Sequence, residues 1–387
     1  MLPVSAEEWS ALAREAARQR VGPFLLARLP HPLSGRLPPP FVHQLERSLA
    51  VYAAHAARQR AELQRAIDLL TAAGTPVRCL KGPLLSTWLY GSPDLRHASD
   101  LDLLVRDTDV SAADSALRAA GYRRTRPSFE LSRRQERVFR SIHREYSYIA
   151  PDHRLVVELL WHLETLTPAV WENRATLMRC DGRDYPVLAP NTLAAYLCAH
   201  GARHGWCRLF WLLDVALLLR HPSVDWSATL ALAQTHGSGD AVLQAALLAE
   251  RLLGATPPAA LRPASRAEAR RVVFLATAAL RQFALAPADE ATAREWVRDL
   301  LYRLRLARGW RRKIAVLRPH LLSLATWEAV RLPDRWFHLY YVLTPPLWLL
   351  RRLRRSWRRR AAPVTSVRPD VHESSTPPLH AHRQSPR

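Results

Sequence analysis

Asp100 and Asp102 stand two residues apart in the run Ser99-Asp100-Leu101-Asp102-Leu103-Leu104-Val105. In a β-strand successive side chains point to opposite faces, so both carboxylates face one way and Leu101, Leu103 and Val105 the other. The alternation predicts a strand with a buried apolar face and a wet face that carries the acids. Their Cα atoms then lie roughly 6.6 Å apart, a span that lets two carboxylates hold one or two Mg²⁺ ions about 3.5–4 Å apart, as in-line phosphoryl transfer requires. The pair alone is a weak signal. With 34 acidic residues in 387, a carboxylate two positions from another arises about three times by chance, and Asp107 with Asp109 is such a pair.

The surroundings strengthen it. Lys81 and Gly82 follow an apolar run, Val77 to Leu80, and open a predicted helix over 83–90. A glycine there lets backbone N–H groups approach a phosphate, and the lysine adds a point charge. Lysine is rare here: of 56 basic residues, Lys81 and Lys313 are the two lysines. Arg96 and Ser99 precede the acid strand, placed to contact phosphate or to cap a metal loop. A third carboxylate belongs on an adjacent strand. Glu158, flanked by Val157 and Leu159 where an unpaired charge is costly, is the best candidate, with Glu145 as the alternative. A second cluster, His200, His204, Trp206, Arg208, Trp211 and Asp214, places two histidines four apart on one helix face. No acid between them suits a general base, so packing or hydrogen bonding is the favoured role.

The elements that must hold these residues follow from periodicity. Helices are predicted over 5–20 and 41–73, the latter with Leu45, Leu49, Tyr52, Ala56, Leu63, Ile67 and Leu70 at three- and four-residue steps before Gly74. Strands are predicted at Val77–Lys81, Leu101–Val105, His143–Ile149 and Leu155–Leu160, with helices over 83–90 and 109–120 between them. From 168 to about 330 the pattern reads as helical, broken at Pro186, Pro190 and later loops. The expectation is an α+β chain: N-terminal helices over 1–75, a small mixed-sheet core over 76–165, a helical domain over 166–332, an apolar, aromatic and Arg-rich segment over 333–362, and a disordered tail over 363–387.

Formal net charge is +22, but residues 297–387 hold 20 basic against 5 acidic side chains, so the body is nearly balanced and no specific nucleic-acid partner is expected. Trp336 to Leu350 is too short to span a bilayer and is interrupted by Pro345 and Pro346. Its aromatic residues beside an arginine run, over 335–360, suit peripheral contact with an anionic membrane. The plainer alternative is a last helix with a solvated basic end. Cys79, Cys180, Cys198 and Cys207 form no CxxC pair, and Glu7 and Glu8 argue against an export signal, so a cytoplasmic protein, peripheral on the inner membrane face at most, is expected.

Lys81-Gly82 at a helix start, then Arg96, then Ser99-Asp100-Leu101-Asp102, then a strand carboxylate at Glu158, resembles the nucleotidyltransferase superfamily that includes DNA polymerase β. LKG, LYGSPDLRHASDLDLLV and HGARHGWCRLFWLLDV are similar, over about Val77 to Leu219, to a large, mostly uncharacterised bacterial nucleotidyltransferase family found near polysaccharide and natural-product biosynthesis genes. Two departures stand out. Lys81-Gly82-Pro83 replaces the superfamily's Gly-Ser, and Leu160 occupies a position often held by histidine, leaving His162 beyond Trp161. The resemblance implies that Asp100 and Asp102 hold metal, that Glu158 completes the site and helps activate an acceptor hydroxyl, and that Lys81 and Gly82 hold a nucleoside triphosphate. It implies Mg²⁺ as cofactor, ATP or another NTP as substrate, and transfer of AMP to a small-molecule or sugar-type acceptor of unknown identity. Modification of a protein, or a non-catalytic membrane-associated scaffold of the same fold, are the alternatives.

Overall fold

The computed structural model describes residues 5–29, 37–163, 166–172, 175–281 and 293–361. Helix α1 (Ala6–Arg18) starts at a capping box in which Ser5 accepts from the Glu8 backbone N–H and the Glu8 carboxylate accepts from that of Ser5. After α2 (Gly22–Arg28) comes the long α3 (Pro39–Ala72), closed where Gly74 takes φ +68°. The first part of α3 packs with α1 through Phe41 and Leu45, and its last turns bury Leu63, Ile67 and Leu70 against the sheet.

Seven strands form one mixed sheet: β1 (Val77–Cys79), β2 (Asp100–Val105), β3 (Arg123–Arg126), β4 (Glu145–Ile149), β5 (Val156–Leu160), β6 (Ala175–Cys180) and β7 (Arg183–Leu188), in the order β3-β4-β5-β2-β1-β7-β6. The β2/β5 and β1/β7 pairs are parallel and the others antiparallel. Helices α4 (Gly82–Tyr90), α5 (Val110–Ala119) and α6 (Arg133–Ile142) punctuate the first four strands. The chain is thus the α+β fold expected, a mixed-sheet core with helices on either side in sequence.

Two expectations about the strands need correction. The stretch from 168 is helical only over the short α7 (Pro168–Trp171) and then forms the β6–β7 hairpin. Its turn is Asp181-Gly182, both left-handed at φ +50° and +77°, the conformation of a tight hairpin, while Pro186 inside β7 masks the strand pattern. Strand β3 went unforeseen because Arg123-Arg124-Thr125-Arg126 has no apolar alternation; as an edge strand with a bulge it needs little.

One sheet face presents Leu101, Leu103, Val105, Val157 and Leu159 to α3, α5 and α6. On the other, Leu104 and Leu160 join the core of α8 (Pro190–Arg203), α9 (Leu209–Leu218), α10 (Trp226–Thr235), α11 (Gly239–Leu253) and α12 (Arg266–Leu280). The chain continues through α13 (Ala293–Leu306), α14 (Trp310–Leu321), α15 (Leu324–Ala329) and α16 (Leu339–Ala361). Tyr340 anchors α16: its hydroxyl donates to Val330 O at 2.8 Å and accepts from the Leu332 N–H at 3.0 Å. Contrary to expectation the helix runs through Pro345 and Pro346, held by Tyr340 and Thr344, both fully buried. Among the described residues no helix is long and apolar enough to cross a membrane. The tail expected over 363–387 lies outside the described residues.

Candidate active site

The acid strand is fixed at its entry by α3. Gln59, fully buried, donates to Ala98 O at 3.3 Å and to Asp100 O at 3.4 Å. In the parallel β2/β5 ladder Asp102 lies opposite Glu158, and Glu158 in turn lies opposite Ser147 of β4. Asp100, Asp102 and Glu158 therefore share one sheet face, and a cavity of about 260 Å³ opens over it. Lys81, Ser99, Asp100, Asp102, Glu145 and Glu158 form its sheet side. Tyr196, His200 and Arg203, at four- and three-residue steps along one face of α8, form its roof. That roof corrects the expectation of a wet face, because Asp102 is only 4% exposed.

Lys81 occupies the cap position of α4, and Gly82 turns the chain there at φ +73°. A Cβ at Gly82 would meet nothing closer than Leu101 at 3.7 Å, so the left-handed backbone, not crowding, selects glycine. The turn brings Lys81 Nζ to 3.1 Å from Asp102 Oδ1. Gly82 itself is not part of the cavity wall; it shapes the turn that aims Lys81.

Burial pushes the Asp102 carboxyl up to about 7, against the pull of Lys81 and with help from Asp100 and Glu145. Glu158 is driven well above the usual carboxylate range by burial and by Glu145, Asp100 and Asp102. For Lys81 burial opposes the charge, but Asp102, Tyr196, Asp100 and Glu158 outweigh it and hold the ammonium protonated. The acids thus crowd one another beyond what one lysine neutralises.

Arg96 lines the cavity, but its fork grips Asp214 of α9, with Nε at 2.8 Å from Oδ1 and Nη2 at 2.9 Å from Oδ2. Tyr90 donates to the same Oδ1 at 2.6 Å. Arg96 thus forms a buried tie between the sheet core and the helical half.

His200 and His204 line the roof with ring centroids 4.7 Å apart, and Trp211 meets the first edge-on at 5.7 Å and the second tilted at 5.1 Å. Trp206 is not at the site. It is fully buried, its indole N–H donates to Gln244 at 3.2 Å, and its ring fills the space a side chain at Gly201 would need. Arg208 is also absent from the wall, whereas its neighbours Phe210 and Trp211 are part of it.

Among the wall residues that sequence reasoning missed are Arg20, His97, Arg126, Arg144 and Arg203, besides Tyr196 and Phe210. Arg20 arrives from the end of α1 with φ +61°, its guanidinium carbon 5.9 Å from the Phe210 ring. Burial and the neighbouring Arg208 make its charge harder to hold, so it suits an anion. In a chain this rich in arginine no local signal marks it.

The donor set fits a hard divalent cation. Asp100, Asp102 and Glu158 supply carboxylate oxygens on one face, and buried Asp102 Oδ2 has no hydrogen-bond partner among the described residues. Those residues hold no closed cluster of three metal-binding side chains, so the carboxylates must converge further to share an ion. A family model described as an uncharacterised nucleotidyltransferase matches residues 5–254, well over half of the chain. No curated protein matches it.

Proposed function

The chain belongs to this family of uncharacterised nucleotidyltransferases, and we propose that it transfers a nucleoside monophosphate, AMP by preference, from an NTP to a small-molecule or sugar-type acceptor. The observation that carries the reading is the convergence of Asp100, Asp102, Glu158 and Lys81 on one buried cavity face, with Asp102 Oδ2 unpartnered.

Asp100 and Asp102, with Glu158 completing the set, would hold Mg²⁺, which supplies charge neutralisation at the α-phosphate when bound. Lys81 and Arg20 place positive charge beside the triphosphate, and Ser99 offers a hydroxyl at the strand entry. The acceptor oxygen bonds to the α-phosphorus, the bond from that phosphorus to the bridging oxygen breaks, and the electron pair leaves with pyrophosphate. Glu158, in its carboxylate form, takes the acceptor's proton. The roof of α8 keeps bulk water from competing for the phosphoryl group.

The test is incubation with Mg²⁺ and labelled NTPs, followed by separation of small-molecule and protein products from a fractionated lysate. Label is expected on small molecules, and Asp100→Asn with Asp102→Asn should reduce transfer by at least on the order of a hundredfold. Label on a protein instead would establish the protein-modifying alternative. No label on either, with nucleotide binding indifferent to the double substitution, would leave the scaffold.

We also propose that the C-terminal helix rests on an anionic membrane surface at the cytoplasmic side. Supporting it, Val342, Pro345, Pro346 and Leu349 form an exposed apolar row on α16, with Trp336 exposed before it, and the sequence beyond is dense in arginine.

A further inference from the structure

A second cavity, about 530 Å³, adjoins the first. Arg144, His162 and Arg203 line both, so those three side chains stand between them. Its volume falls within the roughly 300–1,000 Å³ of small-molecule sites. Part of its wall is apolar, with Ile142, Ala199 and Ala241 facing Leu306 and Val316. The rest carries positive charge. Asp240 is the acid of the wall, and Arg271, at 2.6 Å, and Arg308 both neutralise it.

Two wall arginines are held but not saturated. Arg303 gives Nη2 to Asp299 at 2.8 Å, while its buried Nε has no partner among the described residues. Arg312 donates to His236 O at 2.7 Å through Nη2, and its guanidinium lies where a side chain at Gly237 would be. Buried His143 Nε2 is likewise unpartnered among the described residues. Burial, with Arg126 and Arg144, lowers His143 to about 4, and burial with Arg303 lowers His320. The positive field therefore comes from arginine and persists at neutral pH. Two arginines in the wall of one cavity match a phosphate dianion better than a single carboxylate.

The origin of this wall matters. Arg303, Arg312 and Val316 belong to α13 and α14, beyond the residues 5–254 that the family model matches. Shared chemistry and individual specificity thus occupy different lengths of chain.

We propose that the second cavity is the acceptor site and that the acceptor is a hydroxylated small molecule carrying a phosphate group. The phosphate lies against Arg303 and Arg312, and the hydroxyl reaches past Arg144, His162 and Arg203 towards Glu158. This rests on the transferase reading above. In the step itself the acceptor hydroxyl becomes the new ester oxygen on the α-phosphorus, its proton passes to Glu158, and pyrophosphate departs with the bonding pair.

The experiment is titration calorimetry on the full chain with ATP and Mg²⁺, inorganic phosphate, glucose 6-phosphate and glucose. Phosphate and glucose 6-phosphate are expected to bind saturably and glucose not. Arg303→Gln with Arg312→Gln, and separately Val316→Trp, which fills the cavity without changing charge, should each weaken glucose 6-phosphate binding at least tenfold with ATP binding unchanged. Equal binding of glucose, or unchanged affinity for the sugar phosphate in both folded variants, overturns the acceptor site. Loss of ATP binding to the parent, or its indifference to Asp100→Asn with Asp102→Asn, overturns the transferase reading instead, so the two failures are separate.

Discussion

Glu158 binds its proton more tightly in the folded chain than an ordinary carboxyl does, because burial, Glu145, Asp100 and Asp102 all disfavour its charge. A raised folded-state pKa means that the folded protein holds more protons than the unfolded one above the ordinary carboxylate range, so this group's contribution to stability falls as pH rises through that window. Glu158→Gln removes the repulsion. The variant should melt above the parent at pH 8, with the difference closing towards pH 4, while transfer activity is lost. A variant less stable than the parent at pH 8 would show that Glu158 supports the fold. Asp102→Asn should not stabilise in the same way, since it strips buried Lys81 of its partner at 3.1 Å. At this scale the acids were legible because strand alternation has a period of two, and Lys81 because lysine is scarce. Arg20, Arg126 and Arg144 were hidden, since one arginine among dozens carries no information until the fold brings it to the cavity.

Between elements, the tie that joins sheet to helices is Arg96 with Asp214, both almost fully buried. Burial works against the Arg96 charge, and Asp214 more than compensates. Removing one partner of such a pair leaves an uncompensated buried charge, so Asp214→Ala should cost about 3–5 kcal/mol in urea denaturation. A loss below about 1 kcal/mol would place Asp214 among surface-like pairs. Gly201→Ala tests the neighbouring contact from the steric side: its Cβ would strike the Trp206 ring, and a destabilisation of about 1–3 kcal/mol is expected. The sequence showed most elements of the core, yet lost β6 and β7 although Asp181-Gly182 is a hairpin signal, because Pro186 and the helical texture after it dominated the pattern. It also lost β3, where pairing with β4 at the sheet edge, and no hydrophobic period, makes the strand.

For the molecule as a whole, charge and apolar surface separate along the chain. The candidate carboxylates Asp100, Asp102 and Glu158 lie within the nearly balanced body, whereas the basic excess follows residue 297. The sequence located that excess but not what the preceding helices do with it: α13 and α14 turn part of it inward, into the second cavity, and α16 leaves an apolar row outside. Val342, at 69%, and Leu349, at 51%, are exposed seven residues apart on one helix face. Apolar burial and basic charge reinforce each other only at a surface that is both hydrophobic and anionic, so neutral vesicles should bind far less than anionic ones. Flotation should recover the parent with phosphatidylserine vesicles and not with phosphatidylcholine alone. Val342→Gln with Leu349→Gln and Leu350→Gln should lower recovery at least tenfold, since each exposed side chain contributes up to about 1.5–3 kcal/mol on burial, and Tyr340, which anchors the helix, is left intact. Equal recovery on both vesicles, or recovery unmoved by the triple substitution, would return α16 to the role of a packed last helix with a solvated basic end.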